Sequence, residues 1–198
     1  MTRRSGQSDK QSRPGRLRIV AGKWRSRLLQ IADDPALRPT AERVRETLFN
    51  WLAPQLAGAR CLDLFAGTGA LGLEALSRGA AEVVFVENSP RAVATLKQNV
   101  ATLAATGASI LTTDSMRYLR DIPAKRFDVV FLDPPYAADM YDELCRLLHE
   151  NAWCAAEARI FLEQPRDAEM PALPDGWEIL KDKTAGNVRY CLLKATRQ

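Results

Sequence analysis

The stretch that decides the fold is Cys61-Leu62-Asp63-Leu64-Phe65-Ala66-Gly67-Thr68-Gly69-Ala70-Leu71-Gly72. Its first five residues predict a buried β-strand, and the glycines that follow predict a loop opening a helix that ends near Gly79. A strand, a short loop and a helix in this order form the repeating unit of α/β proteins with a parallel sheet.

The same alternation continues towards the C-terminus. Strands are predicted at 83–86, 109–111, 127–132 and 159–162, and helices from Ser89 or Pro90 to Leu103, at 115–119 and at 141–148. The last two strands, at 177–180 and 188–193, have no helix between them and flank a turn at Gly186-Asn187. We therefore expect an α/β fold with a mostly parallel seven-stranded sheet, helices on both faces and an antiparallel hairpin at one edge.

A further helix is predicted before the first strand, from Thr40 to Leu52, with Pro54 and Gly58 ending it. Thr40 is expected to cap its N-terminus. The predicted buried face consists of Val44, Thr47, Leu48, Trp51 and Leu52, with Arg43, Arg45 and Glu46 largely off it.

Basic residues are concentrated at the N-terminus. Residues 1–30 carry a net charge of +8, whereas the rest of the chain carries −4. Residues 1–15 lack periodicity and predict a disordered basic tail, which either contacts phosphates or only aids solubility. Residues 16–38 are expected to form a basic hairpin extension that turns near Gly22-Lys23, ahead of a main domain at 39–198. The extension offers basic side chains to nucleic-acid phosphates: Arg16, Arg18, Lys23, Arg25 and Arg27.

The cysteines and the single histidine exclude some classes of protein. Cys61, Cys145, Cys154 and Cys191 are far apart, and His149 is alone, so we expect neither a metal site nor a disulfide framework. No apolar run approaches the roughly 20 residues that span a bilayer, and the polar start is unlike a secretory signal. A cytoplasmic protein without a membrane partner is predicted.

The glycine-rich loop allows two kinds of cofactor. Gly67-Thr68-Gly69-Ala70-Leu71-Gly72 fits G-x-G-x-x-G, and Glu87 follows at the spacing of a dinucleotide fingerprint. Asp63, however, would repel a pyrophosphate bound at this loop. A carboxylate there suits S-adenosylmethionine, which carries a sulfonium and an ammonium group and no phosphate. We therefore favour this cofactor over a nicotinamide or flavin dinucleotide, or over a glycine turn without a ligand.

Each part of the predicted cofactor site has its own role. Asp63 is expected to bind the ammonium directly or through water, and Glu87 the ribose hydroxyls. Asp114 is expected to accept from the adenine amino group, unless it only caps the following helix. The complete predicted set is Asp63, Phe65, Ala66, Gly67, Thr68, Gly69, Glu87, Asn88, Asp114 and Ser115.

Asp133-Pro134-Pro135-Tyr136 follows a buried strand at the predicted carboxyl edge of the sheet, where ligands bind in such folds. An exocyclic base amine is a poor nucleophile and needs acceptors for its protons. Asp133 and the Pro134 carbonyl provide two acceptors, while the prolines keep the turn rigid and poor in donors. Tyr136 offers a face for stacking the base. The tetrapeptide therefore predicts methylation of a planar amine, although an ordinary proline-rich turn is the alternative.

Together these motifs resemble the Rossmann-like class I N-methyltransferases. More narrowly, the chain resembles the bacterial small-subunit (16S) ribosomal RNA guanine-N2 methyltransferases of the RsmD type, over nearly all residues from Arg16 onward. The narrow signature consists of residues 18–24, 37–40 and 44–52, followed by 63–69, Glu87-Asn88 and 133–136.

The resemblance implies S-adenosylmethionine as cofactor and a single guanine of 16S ribosomal RNA as substrate, either free or within a 30S particle. It implies that residues 133–136 hold the base and that the basic hairpin contacts RNA. Arg38 and Thr40 would lie near the mouth of the active site. A monomer in the cytoplasm is expected.

Two other functions fit part of the same pattern. An adenine-N6 methyltransferase acting on DNA or RNA can use the same tetrapeptide, although no sizeable target-recognition domain is visible. An inactive methyltransferase fold that only binds RNA is the second alternative, and the intact Asp63, Gly67, Gly69 and Glu87 argue against it.

Overall fold

The computed structural model describes residues 15–32, 40–135 and 140–196. Its centre is a seven-stranded sheet with the order β5-β4-β3-β6-β7-β9-β8. The strands are β3 (Arg60–Asp63), β4 (Glu82–Glu87), β5 (Ala108–Thr112), β6 (Phe127–Leu132), β7 (Cys154–Pro165), β8 (Trp177–Ala185) and β9 (Val188–Ala195). The first five strands of the sheet order are parallel, and β9 and β8 pair antiparallel. The predicted fold class is confirmed.

Helices cover both faces of the sheet, as expected for parallel strands. They are α1 (Glu42–Leu56), α2 (Ala70–Ser77), α3 (Pro90–Thr102), α4 (Ser115–Leu119) and α5 (Tyr141–Glu150). One apolar core contains side chains of α1, α2 and α3, and the other contains side chains of α4 and α5. None of the helices in the described ranges is long and apolar enough to cross a membrane.

Strands β7 and β8 extend furthest beyond their predicted bounds. Strand β7 begins five residues before the predicted start at Arg159, in a segment whose alanines and Glu157 have low strand propensity. Glu157 has a positive φ of 63°, and the register with β6 shifts there. Strand β8 continues to Ala185 through charged residues, because one side of this edge strand faces solvent.

Helix α1 differs from its prediction at both ends. The Thr40 side chain makes no cap, since the helix starts after Ala41 without a side-chain cap. Pro54 does not stop the helix, which continues to the buried Leu56. The carbonyl that loses its partner to Pro54 belongs to the exposed Asn50, where water can solvate it.

The basic N-terminal extension folds as a hairpin docked on the domain. Strands β1 (Arg16–Arg18) and β2 (Leu28–Gln30) pair antiparallel. Gly22 turns the chain with a φ of +82°, and a Cβ on it would lie 1.9 Å from the Ser77 carbonyl oxygen. At this close approach the Lys23 amide donates to the Ser77 carbonyl (2.7 Å) and the Trp24 amide to the Ser77 hydroxyl (3.0 Å). The hairpin is therefore fixed at the end of α2.

Glu74 is a carboxylate in the otherwise apolar helix α2, and its side chain is fully buried. It accepts hydrogen bonds from the backbone amides of Val20 (2.8 Å) and Ala21 (3.0 Å). It also pairs with Arg78 (2.7 Å) and Arg45 (3.4 Å). One buried carboxylate thus joins the hairpin, α1 and α2.

Arg45 was expected to lie largely off the buried face of α1, and this prediction is wrong. Only 1% of Arg45 is exposed, because its charge faces Glu74. Phe49 and Leu56 take the remaining buried positions, whereas the predicted Thr47 and Trp51 are only partly buried. The buried face of α1 is rotated by about one residue from the face that periodicity predicts. Periodicity counts an arginine as exposed, whereas an arginine paired with a carboxylate can be buried.

Several predictions fall outside the described residues. They concern the disordered tail up to residue 14, Arg38 and Tyr136. The division into a tail, an extension and a main domain remains a prediction.

Replacing Glu74 by glutamine should lower the free energy of unfolding by about 3–5 kcal/mol, because it leaves the buried Arg45 charge uncompensated. Urea denaturation at neutral pH measures this change. Glu46→Gln, on the exposed side of α1, is the control and should change stability by less than about 0.5 kcal/mol. Equal effects of the two substitutions would show that the buried network contributes nothing specific.

Candidate active site

The parallel strands bring three acidic side chains to one cavity at their carboxyl ends. Asp63 ends β3, Glu87 ends β4, and Asp133 directly follows β6. Asp63 pairs with Phe131, so Asp133 lies two residues further along on the same face of the sheet. The cavity has a volume of about 270 Å³. Its lining includes Thr40, Asp63, Phe65, Ala66, Gly67, Thr68, Glu87, Asn88, Asp114, Ser115, Asp133, Pro134, Pro135 and Met140.

The two carboxylates beside the glycine loop bind its backbone. Glu87 accepts from the amides of Gly67 (2.7 Å) and Ser89 (2.7 Å) through its two oxygens. Asp63 accepts from the amide of Gly72 in the first turn of α2 (3.0 Å). These contacts explain why each acid lies at a strand end, since both hold the loop that follows Asp63.

Two glycines of the motif are required by close packing. A Cβ on Gly72 would lie 2.2 Å from the Phe85 ring, so α2 can approach β4 only without a side chain here. Gly69 has a φ of +88°, and a Cβ on it would lie 2.5 Å from Leu96. Most of the glycine pattern therefore serves the packing of the loop and α2.

The hydrogen bonds of the loop decide between the two kinds of cofactor. A dinucleotide pyrophosphate binds the amides at the start of the helix. Here Asp63 occupies the amide of Gly72, and Glu87 occupies that of Gly67. The described cavity lining contains acidic groups but no lysine, arginine or histidine. This donor and acceptor set repels a phosphate and fits a cation such as the sulfonium and ammonium of S-adenosylmethionine.

Asp133 is held by a residue that precedes α1 and also lines the cavity. The Thr40 hydroxyl donates to Asp133 Oδ2 over 2.9 Å, and only 3% of Thr40 is exposed. Pro134 is buried, Pro135 is exposed, and both line the cavity. Thr40, expected at the mouth of the site, thus contacts the first residue of the tetrapeptide directly.

Burial changes the acidity of the two central carboxyls. The pKa of Asp63 is raised to about 7: desolvation is the largest cause, the hydrogen bond from the Gly72 amide opposes it, and the charges of Asp133 and Glu87 add to it. Desolvation likewise raises the pKa of Asp133 to about 7, against the lowering effect of the Thr40 hydrogen bond. A bound cation would favour the ionised forms of both groups.

Asp114 and Ser115 lie where β5 passes into α4. Asp114 caps α4, because its Oδ1 accepts a hydrogen bond from the Arg117 amide (2.9 Å). The capping role that the sequence allowed is therefore present, and it uses one of the two carboxylate oxygens. The Ser115 hydroxyl donates to the Leu64 carbonyl and ties α4 to the loop after β3. Both residues line the cavity, and a contact of Asp114 with adenine remains a prediction.

Sequence reasoning missed Asn99 and Met140. Asn99 donates to the carbonyls of Thr68 (2.9 Å) and Gln30 (3.0 Å), which joins β2 to the glycine loop. An asparagine on the apolar face of α3, one turn after Leu96, was the available signal. Met140 lines the cavity just before α5, and no pattern marked it.

The cysteines take no part in this cavity. All four are buried free thiols. Among residues 15–32, 40–135 and 140–196, no group of three histidine, cysteine, aspartate or glutamate side chains is arranged to hold a metal ion.

The same architecture occurs in a solved structure of the methyltransferase candidate yhhF from Escherichia coli. It has 41% sequence identity and a TM-score of 0.86, and the match covers 93% of this chain and 100% of that one. The fold and the acidic cavity define a Rossmann-like, S-adenosylmethionine-dependent methyltransferase. Within this class, the chain belongs to the family described as Conserved hypothetical protein 95, whose sequence model matches residues 17–194.

Relatives in sequence carry a more specific name. "Ribosomal RNA small subunit methyltransferase D" of Escherichia coli (strain K12) is 44% identical over 184 residues, which are 93% of this chain and 92% of that protein. The protein of the same name from Haemophilus influenzae is 42% identical over 181 residues, or 90% and 93% of the two chains. The predicted family and the predicted cofactor are confirmed.

The raised pKa of Asp63 predicts that affinity for S-adenosylmethionine increases with pH. The cationic cofactor prefers the carboxylate, so below a pKa of about 7 binding must first remove a proton. We expect binding to be about tenfold weaker at pH 6 than at pH 8, as measured by calorimetry.

Asp63→Asn is the control, because an amide does not ionise and so the contribution of residue 63 to the pH dependence is lost. Any pH dependence that remains comes from other groups, such as the amino group of the cofactor. It should show weak binding with a smaller pH dependence. An unchanged pH dependence in this variant would contradict the role of Asp63, and Asp133→Asn should retain most of the wild-type dependence.

Proposed function

We propose that this protein transfers a methyl group from S-adenosylmethionine to the exocyclic N2 amino group of a guanine in small-subunit (16S) ribosomal RNA. The observation that carries the proposal is the pairing of Thr40 with Asp133 beside an acidic cavity. It provides a fixed acceptor for an amine next to a site that fits a cationic methyl donor. The names of the relatives supply the ribosomal RNA.

In this proposal the cofactor is held by the loops after β3, β4 and β5. Asp63 accepts one hydrogen bond from the Gly72 amide, and its other lone pairs bind the ammonium group directly or through water. Glu87 keeps the loop in place through two amides and offers lone pairs to the ribose hydroxyls. Asp114 accepts from the adenine amino group beside its helix-capping bond. Phe65, Ala66, Thr68, Asn88 and Ser115 complete the walls.

S-adenosylmethionine supplies an electrophilic methyl group on a sulfonium. Asp133 and the Pro134 carbonyl accept hydrogen bonds from the two N–H groups of the target amine, so that its lone pair points at the methyl carbon. A bond from nitrogen to carbon forms as the bond from sulfur to carbon breaks, and the amine then loses one proton. Asp133, with its raised pKa, can receive that proton before it passes to water. Tyr136 is proposed to stack on the base.

The basic hairpin is proposed to bind the RNA backbone at the edge of this site. The side chains of Arg16, Arg18, Lys23, Arg25 and Arg27 belong to exposed residues. Asn99 joins β2 to Thr68 of the cofactor loop, which places the hairpin next to the cavity. Residues 16–38, including Arg38, would therefore form the RNA-binding extension of a catalytic domain at 39–198. A target base in a paired region would have to be flipped out.

Adenine-N6 methylation of DNA or RNA is the competing function. Its amine would bind the same two acceptors, so Asp133 and Pro134 do not separate the bases. The family relatives favour ribosomal RNA, and a ribosomal substrate implies a cytoplasmic protein. We propose that it acts as a monomer on RNA that is free or part of an assembling 30S particle.

Transfer of tritiated methyl groups to small subunits from a strain that lacks this gene tests the proposal. Nuclease digestion and nucleoside analysis should place the label in N2-methylguanosine. Label in N6-methyladenosine would contradict the assignment of guanine as the target base. Naked 16S RNA and isolated particles, compared in parallel, show which of them is the substrate.

Asp133→Ala should lower kcat by at least about 100-fold, since the amine loses its main acceptor. Cofactor affinity, measured by calorimetry, should change by less than about threefold, because Asp63 and Glu87 remain. Asp121→Ala, at an exposed acidic position, is a matched control and should retain full activity. Loss of cofactor binding in Asp133→Ala would contradict the assigned role.

Replacing Lys23, Arg25 and Arg27 together by glutamine should weaken RNA binding and reduce its salt dependence. Each lost contact with a single-stranded phosphate lowers the slope of log affinity against log salt by about 0.7. Replacing the two exposed lysines Lys181 and Lys183, on the far edge strand β8, is the control for a loss of positive charge elsewhere on the surface. The same slope in wild type and the hairpin variant would count against phosphate contacts by the hairpin.

A further inference from the structure

We propose that Arg45, which lies outside the cavity, is a positioning residue that acts through Thr40 on the carboxylate of Asp133. The proposal deepens the proposed function, because it names a further residue on which that same site depends. It also explains why the RNA-binding hairpin and the amine acceptor share one buried connection.

The connection consists of two consecutive hydrogen bonds. Arg45 Nε donates to the Thr40 carbonyl over 3.2 Å. The hydroxyl of the same Thr40 donates to Asp133 Oδ2 over 2.9 Å. Thr40 is 3% exposed and precedes α1 without serving as its cap. The position of its backbone, and hence the aim of its hydroxyl, is set by Arg45.

The orientation of the Arg45 guanidinium is itself fixed from two further sides. Its Nη2 donates to the Arg18 carbonyl in the hairpin (2.9 Å), and its Nη1 faces Glu74 (3.4 Å). A planar guanidinium can serve these three partners at once, whereas a lysine ammonium on a flexible stem has no matching fork. Movement of the hairpin would therefore be transmitted to Thr40 and from there to Asp133.

Arg78 provides a matched comparison within the same network. It pairs with Glu74 over 2.7 Å and has 15% of its side chain exposed. Its guanidinium lies over the Phe49 ring rather than against Thr40. If buried pairing with Glu74 were all that mattered, Arg45 and Arg78 would affect Asp133 equally. If Arg45 acts through Thr40, substitution of Arg45 will affect Asp133 and substitution of Arg78 will not.

The test is the titration of Asp133 by NMR with carboxyl-labelled aspartate, assigned with Asp133→Asn. The Thr40 hydrogen bond lowers the pKa of this carboxyl against the effect of burial. Thr40→Val and Arg45→Lys should therefore both raise the midpoint, by at least about half a pH unit. Thr40→Ser, which keeps the hydroxyl, and Arg78→Lys should leave it unchanged.

Other titrating groups face Asp133 and stay constant across these variants. They are Asp63 of β3 and Tyr141 of α5. Differences between the variants therefore report the Thr40 contact. This readout needs no RNA, so it remains decisive even if the substrate proves not to be ribosomal guanine.

Kinetics supply the second readout. Arg45→Lys and Thr40→Val should each lower kcat about tenfold while KM for RNA and cofactor affinity change by less than about twofold. The double variant should lose little beyond either single one, because both substitutions break the same connection. Independent losses that multiply, or an Arg45→Lys midpoint equal to that of Arg78→Lys, would overturn the proposal.

Folding is monitored by near-ultraviolet circular dichroism and thermal unfolding. If Arg45→Lys does not fold, Arg45→Gln combined with Glu74→Gln removes the two most deeply buried charges together. Arg78, which is 15% exposed, is then the one member of the network that keeps its charge without Glu74. The shorter glutamine side chain at position 45 lacks the guanidinium that donates to the Thr40 carbonyl, so the same rise of the Asp133 midpoint is expected. An unchanged midpoint in this folded double variant would equally refute the proposal.

Discussion

Glu74 cannot reach solvent, and its charge must be compensated within the protein. The structure meets this requirement with Arg45 of α1, Arg78 at the end of α2 and two backbone amides of the hairpin. A buried ion pair costs desolvation energy that only good geometry offsets, so these elements can meet in few arrangements. The position of the hairpin and the start of α1 both depend on this one carboxylate.

A second group of carboxylates shows the opposite balance of charge. Asp63, Glu87 and Asp133 converge at the carboxyl edge of the sheet, and the described lining of their cavity contains no basic side chain. Their compensation comes from backbone amides and the Thr40 hydroxyl, and burial raises the pKa of Asp63 and Asp133 to about 7. An excess of acceptors over donors is the condition that a cationic cofactor and an amine substrate can both satisfy.

Most elements of the fold were predictable because their residues satisfy a local rule. The strand at Phe127–Leu132 and the helix at Ser115–Leu119 have the predicted bounds, since an apolar run and a capping aspartate mark them. The beginning of β7 was not predictable. Its alanines and Glu157 have little strand propensity. Cys154 pairs with Phe127 and Arg159 with Val129, and the residues between them absorb a shift of register in which Glu157 has a positive φ. Pro54 likewise looked like a stop, but the burial of Leu56 continues the helix past it.

For the candidate site, the sequence by itself determined which side chains end the parallel strands. The carboxyl ends of such strands lie on one edge, so Asp63, Glu87 and Asp133 had to converge there. Only the tertiary structure decided that Thr40 holds Asp133 instead of capping α1, and that Arg45 turns inwards. Strand ends follow from local periodicity, whereas the partner of a buried polar group is chosen by which distant segment packs against it. Residues 40 and 133 are far apart along the chain, and no local pattern records that contact.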